Sequence, residues 1–310
     1  MNFKKKLFVL LILCAFVSVG VMLLFFKGRS FRAESQPLAK VDFSQVKKFI
    51  IDNRYGSYTF EKVEEEWVIM APNKDTADVV FVNDVLRMAK VFSVSSLITN
   101  NKSKFDQFDL QPEKAPRFQV FTTDLSKPTL DIYLGKMTSG YNESFMRFSS
   151  QDAVYIAKDL MPYKLAFGPN YFRAKRLFPD SLKDLTSLQI NLPGVQYSVN
   201  KDSNTWITSA GKKYPEPYLL NLIVDLEGLS AIDFASIESI SEGVFDKPYG
   251  SFFIKGPQFE YQIIIGKERP QPAKELPITR YVRSNKRNMV LVHYETSFKK
   301  ISETIKSLPQ

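Results

Sequence analysis

The stretch EEEWVIMAP, residues 64–72, contains Trp67, one of only two tryptophans in the chain. The second, Trp206, lies in SNTWITSAG at residues 203–211. In both stretches a polar run precedes the tryptophan, a short apolar segment follows it, and an amphipathic segment comes after a break. This similarity predicts that one structural unit occurs twice in the chain.

The likeness between the two stretches extends to both sides of the tryptophans. At a constant offset of 139 residues, Phe49 aligns with Leu188, Ile51 with Ile190, Tyr58 with Tyr197, Phe60 with Val199 and Lys62 with Lys201. Farther along, the matching segments are LDIYLGK (130–136) and YQIIIGK (261–267), FMR (145–147) and YVR (281–283), and VYI (154–156) and VLV (290–292). The offset changes only in loops, where insertions are tolerated. The pattern indicates a duplication of about 130 residues, far longer than a solenoid repeat.

Alternating apolar and polar residues predict half-buried antiparallel strands along most of each copy. After each tryptophan and a break, apolar residues recur at the spacing of one helix face. They are Val82, Val85, Leu86 and Ala89 in the first copy, and Leu219, Leu222, Ile223 and Leu226 in the second. Asp78 is placed to cap the first of these helices. The patterns predict an α+β fold of two tandem repeats, each an antiparallel β-sheet with a packed helix.

Residues that recur in both copies are expected to serve the fold. Each tryptophan is expected to pack between helix and sheet, with a paired aromatic platform for a ligand as the alternative. Gly135 and Gly266 follow apolar strands and are expected to permit a turn with positive φ. Neither glycine belongs to a phosphate-binding loop motif.

The N-terminal residues predict a membrane anchor. Residues 7–26, LFVLLILCAFVSVGVMLLFF, form a run of 20 residues without charge. At about 1.5 Å per residue, such a helix spans the roughly 30 Å hydrocarbon layer of a membrane. A cleaved signal peptide is the alternative, although its apolar core would be shorter and small residues would mark its cleavage site. The lysines at 4–6 favour a cytoplasmic N-terminus and an extracytoplasmic body.

Charge and cysteine content argue against several classes of function. The net charge is +9, but six basic residues and no acidic residue lie within residues 1–32, around the apolar run. The rest of the chain therefore lacks the concentrated basic face that nucleic-acid binding requires. The single cysteine, Cys14, belongs to the predicted anchor. The predicted body consequently has no disulfide, thiol nucleophile or cysteine metal site.

The predicted boundaries follow the anchor, the two repeats and the segment between them. They give a cytoplasmic start, anchor and basic flank (1–32), a tether (33–40), a first α+β repeat (41–159), a linking segment (160–182), a second α+β repeat (183–302) and a tail (303–310). The linking segment is expected to be partly helical, because Pro169 and Pro179 interrupt it.

Several of these motifs occur together in one family. WVIMAPNKDTADVVFVNDVLRMAKV (67–91) combines the tryptophan, a proline, an AD pair and the striped helix, and FDQFDLQP (105–112) and NYFRAKRLF (170–178) follow in order. In this arrangement the chain resembles the domain of unknown function 4340 family over nearly all of its predicted body. The second copy departs from the pattern, since EP (216–217) replaces the AD pair. The resemblance implies a membrane-anchored bacterial envelope protein, often encoded beside ABC-type transporter components of the gliding-motility kind, and it supplies no catalytic residue.

The sequence presents no catalytic, cofactor-binding or metal-binding motif. His293 is the only histidine and is expected to be exposed or half-buried on a strand. One histidine cannot supply the ligands of a zinc site, and no G-x-S-x-G motif provides a serine nucleophile. Asp and Glu residues are plentiful, so composition alone leaves a paired-carboxylate hydrolase open.

Basic side chains are the candidate contact residues. Arg147 and Arg283 occupy equivalent strand positions in the two copies, where either an exposed or ion-paired structural arginine or a repeated anion or partner contact is expected. Arg173, Lys175 and Arg176 form a small basic cluster that is expected on the linking helix. Such a cluster is either a solvated face or a contact with acidic lipid or a partner.

The favoured hypothesis is a non-enzymatic, single-pass protein of the bacterial cytoplasmic membrane. Its periplasmic body would be an accessory or interaction module of an envelope transporter-like complex. The expected partners are membrane lipid along residues 7–26 and other proteins of that complex, without nucleic acid or cofactor. Two alternatives are a carboxylate-dependent envelope hydrolase, with converging carboxyl groups of raised pKa, and a structural spacer without a large apolar patch.

Overall fold

The computed structural model describes residues 41–140, 142–271 and 273–308. The predicted cytoplasmic start, anchor, basic flank and tether (1–40) lie outside these residues. Within the described part of the chain, no helix combines the length and the apolar character needed to cross a membrane. The described residues form two β-sheets accompanied by helices, which confirms the predicted α+β class.

The first sheet is antiparallel and has nine described strands. They are β1 (Lys48–Asn53), β2 (Gly56–Val63), β3 (Glu66–Ala71), β4 (Asp75–Thr76), β5 (Ser93–Thr99), β6 (Arg117–Phe121), β7 (Leu130–Met137), β8 (Glu143–Phe148) and β9 (Val154–Lys158). Their order across the sheet is β4-β3-β2-β1-β6-β7-β8-β9-β5. The alternation in the sequence sets which side chains face inward: in β1, Phe49 and Ile51 are buried and their neighbours are half-buried.

The second sheet is also antiparallel and also has nine described strands. They are β10 (Ser187–Leu192), β11 (Val195–Asp202), β12 (Thr205–Thr208), β13 (Lys213–Pro215), β14 (Asp233–Ala235), β15 (Gly250–Lys255), β16 (Glu260–Glu268), β17 (Thr279–Ser284) and β18 (Val290–Tyr294). Their order is β13-β12-β11-β10-β15-β16-β17-β18-β14. This is the order of the first sheet with every strand number raised by nine.

The spacing of the strands repeats together with their order. β1 begins at Lys48 and β10 at Ser187, which is the offset of 139 residues seen in the sequence. The turn before each tryptophan strand is repeated as well, because Glu64 and Ser203 adopt positive φ values of 56° and 53°. One strand order and one turn geometry therefore underlie both sheets.

Four α-helices lie in the described residues: α1 (Val79–Val91), α2 (Pro169–Phe172), α3 (Leu220–Glu227) and α4 (Glu295–Ser307). Short 3-10 turns occur at Phe43–Gln45, Lys102–Phe108, Pro162–Leu165, Leu182–Asp184, Glu216–Leu219 and Ile237–Ser239. The apolar stripes predicted α1 and α3, and their inward residues, such as Val82 and Leu222, are fully buried.

Helix α4 was not predicted, although its sequence carries the signal. Phe298, Ile301 and Ile305 follow the spacing of one helix face and are buried. The helix packs against α3, where the Thr304 hydroxyl and the Lys300 ammonium both contact the carboxylate of Asp225 at 2.6 Å. The second sheet thus has a C-terminal helix that reaches into the residues predicted as a tail.

The described chain divides into two compact units. One comprises residues 41–56 and 85–166, and the other comprises residues 57–84 and 167–308. In the first unit, the Phe49 and Phe118 rings meet edge to face with centroids 6.0 Å apart. In the second unit, a large apolar core includes Trp206, which is 2% exposed. We call these the first and second units below.

Gly135 and Gly266 do not form turns, so that prediction is wrong. They lie inside β7 and β16, and neither adopts positive φ. A Cβ atom on Gly135 would sit 2.1 Å from the Phe108 carbonyl oxygen, and one on Gly266 would sit 2.9 Å from the Phe245 ring. In each unit, glycine is needed because a neighbouring loop crosses the strand at close range.

Candidate interaction groove

A groove of about 450 Å³ lies within the second unit. Strand β3, the first turn of α1 and the extended segment after α2 form its walls. The residues that matter for its chemistry are Glu66, Trp67, Val79, Val80, Lys175 and Arg176. The groove therefore brings two of the predicted basic contact residues beside one of the two tryptophans.

Trp67 forms part of the groove wall. It lies in β3 opposite Lys62 of β2, and its carbonyl accepts a hydrogen bond from the Ala77 N–H at 3.0 Å. Its side chain is half-buried, whereas Trp206, at the equivalent position of the second sheet, is buried. The expectation of core packing is correct for Trp206 and wrong for Trp67, because part of the Trp67 surface lines the groove.

Two valines at the start of α1 expose apolar surface in the groove. Asp78 caps this helix as predicted, since its Oδ1 accepts a hydrogen bond from the Phe81 N–H at 2.9 Å. The first turn leaves Val79 and Val80 with 59% and 71% of their surface exposed. Adjacent exposed valines beside a half-buried tryptophan form the kind of apolar patch that proteins use for contacts.

The segment after α2 forms the opposite wall in an extended conformation. Phe172 anchors its start, with its ring centroid 4.7 Å from that of Phe81. The Ala174 N–H donates to the Thr76 carbonyl at 3.0 Å, which ties the segment to β4. On the segment's other side, the Lys175 carbonyl accepts from the N–H of Ala231 at 2.7 Å. The wall is therefore held by backbone hydrogen bonds along both edges.

This extended conformation corrects the prediction that the basic cluster lies on a helix. α2 ends at Phe172, and the next residue, Arg173, pairs with Ala77 in an isolated β-bridge. Arg173 is buried as a result, while Lys175 and Arg176 are exposed. The three basic residues therefore do not form one face, and only Lys175 and Arg176 line the groove.

Charged and aromatic side chains surround the apolar floor of the groove. Glu65, Glu66, Lys175 and Arg176 are the charged groups among its lining residues, together with Asp78. The Lys175 ammonium lies 5.6 Å from the centroid of the exposed Tyr171 ring. An apolar centre with a polar, charged rim is the usual anatomy of a protein interface.

A buried ion pair holds the groove's extended wall in place. Both carboxylate oxygens of Asp75 accept hydrogen bonds from Arg287, at 2.7 and 2.8 Å. Arg287 also donates to the Ala174 carbonyl at 2.9 Å, and the Nε of Arg173 lies 3.4 Å from the same carboxylate. No local motif marks Asp75 in the sequence, because its partner Arg287 is 212 residues away.

Comparison with protein families gives one match. Residues 67–250 match the family described as Domain of unknown function (DUF4340), over more than half of the chain. The chain belongs to the DUF4340 family. The DUF4340 match begins at Trp67 and includes Val79, Val80, Lys175 and Arg176, so most of the groove lies within it. No curated protein and no solved structure matches the chain.

The repeated arginines of this DUF4340 chain both stack on aromatic rings. Arg147 is buried in the first unit, with its guanidinium 3.9 Å from the Tyr133 ring centroid and a 3.2 Å hydrogen bond to the Leu110 carbonyl. Burial lowers the pKa of Arg147, and the nearby Tyr133 opposes that shift. Arg283 is exposed in the second unit and lies 4.3 Å from the Phe245 ring centroid. Arg147 therefore contacts the loop that crosses Gly135, and Arg283 contacts the loop that crosses Gly266.

His293 is fully buried, so the prediction of an exposed or half-buried histidine is wrong. Residues Val290 to His293 of β18 are all buried, because α4 covers the strand and brings Phe298 within 5.8 Å of the His293 ring. Neither ring nitrogen has a hydrogen-bond partner among the described residues. Burial, reinforced by the charge of Arg287, lowers the pKa of His293 to about 4.

The described residues contain no group of three or more His, Cys, Asp or Glu side chains placed to hold a metal ion. Two carboxyl groups of the second unit have pKa values below their ordinary range and so stay ionised. Burial is the largest single influence on both carboxyl groups and pushes each pKa upward. The combined hydrogen bonds and charges of Lys300 and Thr304 at Asp225, and of Lys299 and Arg280 at Glu295, outweigh it and lower the pKa. These two groups favour structural ion pairing over proton donation.

Proposed function

We propose that this DUF4340 protein is a non-enzymatic, membrane-anchored accessory module of an envelope transporter-like complex. Its body binds a protein subunit of that complex in the groove lined by Trp67, Val79, Val80, Lys175 and Arg176. The observation that carries the proposal is the exposure of Val79 and Val80 beside a half-buried tryptophan. Exposed apolar side chains with no structural need for exposure mark contact sites.

The composition of the groove supports a protein as its occupant. Aromatic and arginine side chains are enriched at the centres of protein interfaces, and polar side chains form their rims. Trp67 and the valines supply apolar surface, and the glutamates at 65 and 66 and the basic residues Lys175 and Arg176 also line the groove. A partner segment that combines apolar side chains with charges of both signs would complement this surface.

The membrane part of the proposal rests on the sequence. The uncharged run at residues 7–26 supports an anchor, and the lysines at 4–6 favour a cytoplasmic N-terminus. If this orientation is correct, protease added outside intact spheroplasts should degrade the body that follows the anchor, and no lysis of the spheroplasts should be needed. Protection of the body until the spheroplasts are lysed would contradict this orientation.

Site-specific photo-crosslinking in native membranes tests the groove. A photoreactive residue at Val80 of the full-length chain should crosslink a membrane subunit of an ABC-type transporter, identified by mass spectrometry. The matched control is Val224 of α3, which is 64% exposed but lies outside the groove. Equal crosslinking of the same subunit from both positions, or none from Val80, would refute the groove as the contact site.

A further inference from the structure

A second concave site lies in the second unit, apart from the interaction groove. It is a pocket of about 440 Å³ whose polar lining includes Asn73, Asn170, Arg173, Ser236, Ser239 and Arg269. The side chains of Phe234 and Met289 contribute apolar wall. We propose that this pocket binds a small organic anion, with its carboxylate held at Arg173 and Arg269. This inference is independent of the proposed function, because no residue that lines this pocket also lines the interaction groove.

The polar side chains of the pocket are linked into one network. The Arg173 Nη1 donates to the Asn170 Oδ1 at 3.0 Å. The Asn170 side-chain amide donates in turn to Asp233, and the Arg269 Nη1 donates to the other oxygen of Asp233 at 2.6 Å. These bonds orient both guanidinium groups at the pocket, so an incoming anion would meet preorganised donors.

The network carries more positive than negative charge. Arg173, Arg269 and Arg287 supply three positive charges, while Asp75 and Asp233 supply two negative charges. The side chains of Arg173 and Arg287 are 3% and 2% exposed, so water screens them little. Buried charge without a counter-charge is costly. One additional anion would balance the cluster.

The hydrogen bonding of the buried arginines also favours a bound anion. Among the described residues, the Nη1 of Arg287 is buried without a hydrogen-bond partner, and the Nε of Arg173 has only the Asp75 carboxylate nearby, at 3.4 Å. Both guanidinium groups lie 5.7 Å from the centroid of the Phe234 ring, which offsets their charge only weakly. The protein itself therefore leaves part of the arginine charge unsatisfied.

The size and lining of the pocket define the ligand class. Pockets of roughly 300–1,000 Å³ hold small molecules, and a net charge of one favours a singly charged anion. Arginine recognises a carboxylate with paired hydrogen bonds, and Phe234 and Met289 offer contacts to an apolar body. The expected ligand is thus a monocarboxylate on a small apolar frame.

Fluorine NMR of 4-fluorobenzoate, titrated with the full-length chain in mild detergent, tests this site. The signal should broaden saturably, and the neutral probe 4-fluorobenzamide should bind at least about tenfold more weakly. Inorganic phosphate at equal concentration should fail to displace 4-fluorobenzoate. Equal binding of the two probes, or displacement by phosphate, would overturn the carboxylate assignment.

Three variants separate the pocket from general surface charge. Arg269→Gln should weaken 4-fluorobenzoate binding by about tenfold or more. Ser236→Asp, which places a carboxylate in the pocket, should block the probe without lowering the melting temperature. Arg283→Gln, at an exposed arginine outside the pocket, should leave binding unchanged. Unchanged binding in both pocket variants, or an equal loss in Arg283→Gln, would overturn the proposal.

Discussion

Arg287 donates two hydrogen bonds, of 2.7 and 2.8 Å, to the carboxylate of Asp75, although the residues lie 212 positions apart in the sequence. Both side chains are almost completely buried. The pair joins β4, the edge strand of the first sheet, to the turn between β17 and β18 within the second unit. Because Arg287 also binds the Ala174 carbonyl, the pair positions the extended wall of the interaction groove.

Asp75→Asn should destabilise the protein strongly. The substitution removes the counter-charge of Arg287 and Arg173 while both guanidinium groups remain buried. We expect the free energy of unfolding to fall by about 3–5 kcal/mol. Urea denaturation measures this change when unfolding is followed by the fluorescence of the tryptophans, which both lie in the second unit. Glu260→Gln is the control in the same unit, since Glu260 forms a solvent-accessible 3.9 Å pair with Lys255, and losing that pair should cost about 0–1 kcal/mol. Similar losses in both variants would show that the buried pair has no special role.

His293 should make stability depend on pH. Its pKa is about 4 in the folded protein, against an ordinary value of 6.5. Between these values the unfolded chain binds more protons, so stability is complete above pH 6.5 and falls as the pH drops toward 4. The loss should approach about 3 kcal/mol at most. This loss of stability should appear as a fall in melting temperature between pH 7 and pH 4.5.

The matched variant for this titration is His293→Leu. Leucine fills a similar volume and removes two buried ring nitrogens that lack partners, so stability at pH 7 should be unchanged or higher. Carboxyl groups titrate equally in both proteins, and the difference between the two pH profiles therefore isolates His293. Parallel profiles would contradict the assignment of a depressed pKa to this side chain.

Gly135→Ala should destabilise the first unit. The new Cβ atom would lie 2.1 Å from the Phe108 carbonyl oxygen, so β7 and the crossing loop must separate. The expected cost is about 1–3 kcal/mol in a thermal or urea unfolding experiment. At Gly140 the nearest atom is a movable Glu143 carboxylate oxygen at 3.4 Å, and Gly140→Ala should change stability by less than about 0.5 kcal/mol. Equal effects at the two glycines would rule out the close approach.

Local patterns predicted much of the fold. Strand β3 (Glu66–Ala71) coincides with the apolar part of the repeated tryptophan stretch, because a turn precedes it and a proline follows it. The first helix follows Asp78 as expected, since capping and the apolar stripe are both local signals. The strand order shared by the two sheets follows from the duplication, and the 139-residue offset makes that duplication visible within this one sequence.

Side-chain environments set by distant contacts were not predictable in this way. Alternation along MVLVHYE suggested partial exposure of His293, but α4 covers that face of β18. The arginine-containing motif NYFRAKRLF suggested one basic face, yet strand-like pairing at Arg173 turns that residue inward. The pairing of Asp75 with Arg287 has no sequence signature, because it depends on how the two sheets' turns meet within the second unit.

We propose that the groove at Val80 binds a subunit of an envelope transporter complex. The most direct test of this proposal is the amount of that subunit recovered with the affinity-purified, full-length chain from native membranes in mild detergent. Val80→Glu, which places a charge on the apolar floor, should reduce recovery by about tenfold or more without lowering the melting temperature. Val224→Glu, an equally drastic change at an exposed valine outside the groove, should recover the wild-type amount. Unchanged recovery with Val80→Glu, or the same loss in both variants, would contradict binding of the subunit in this groove.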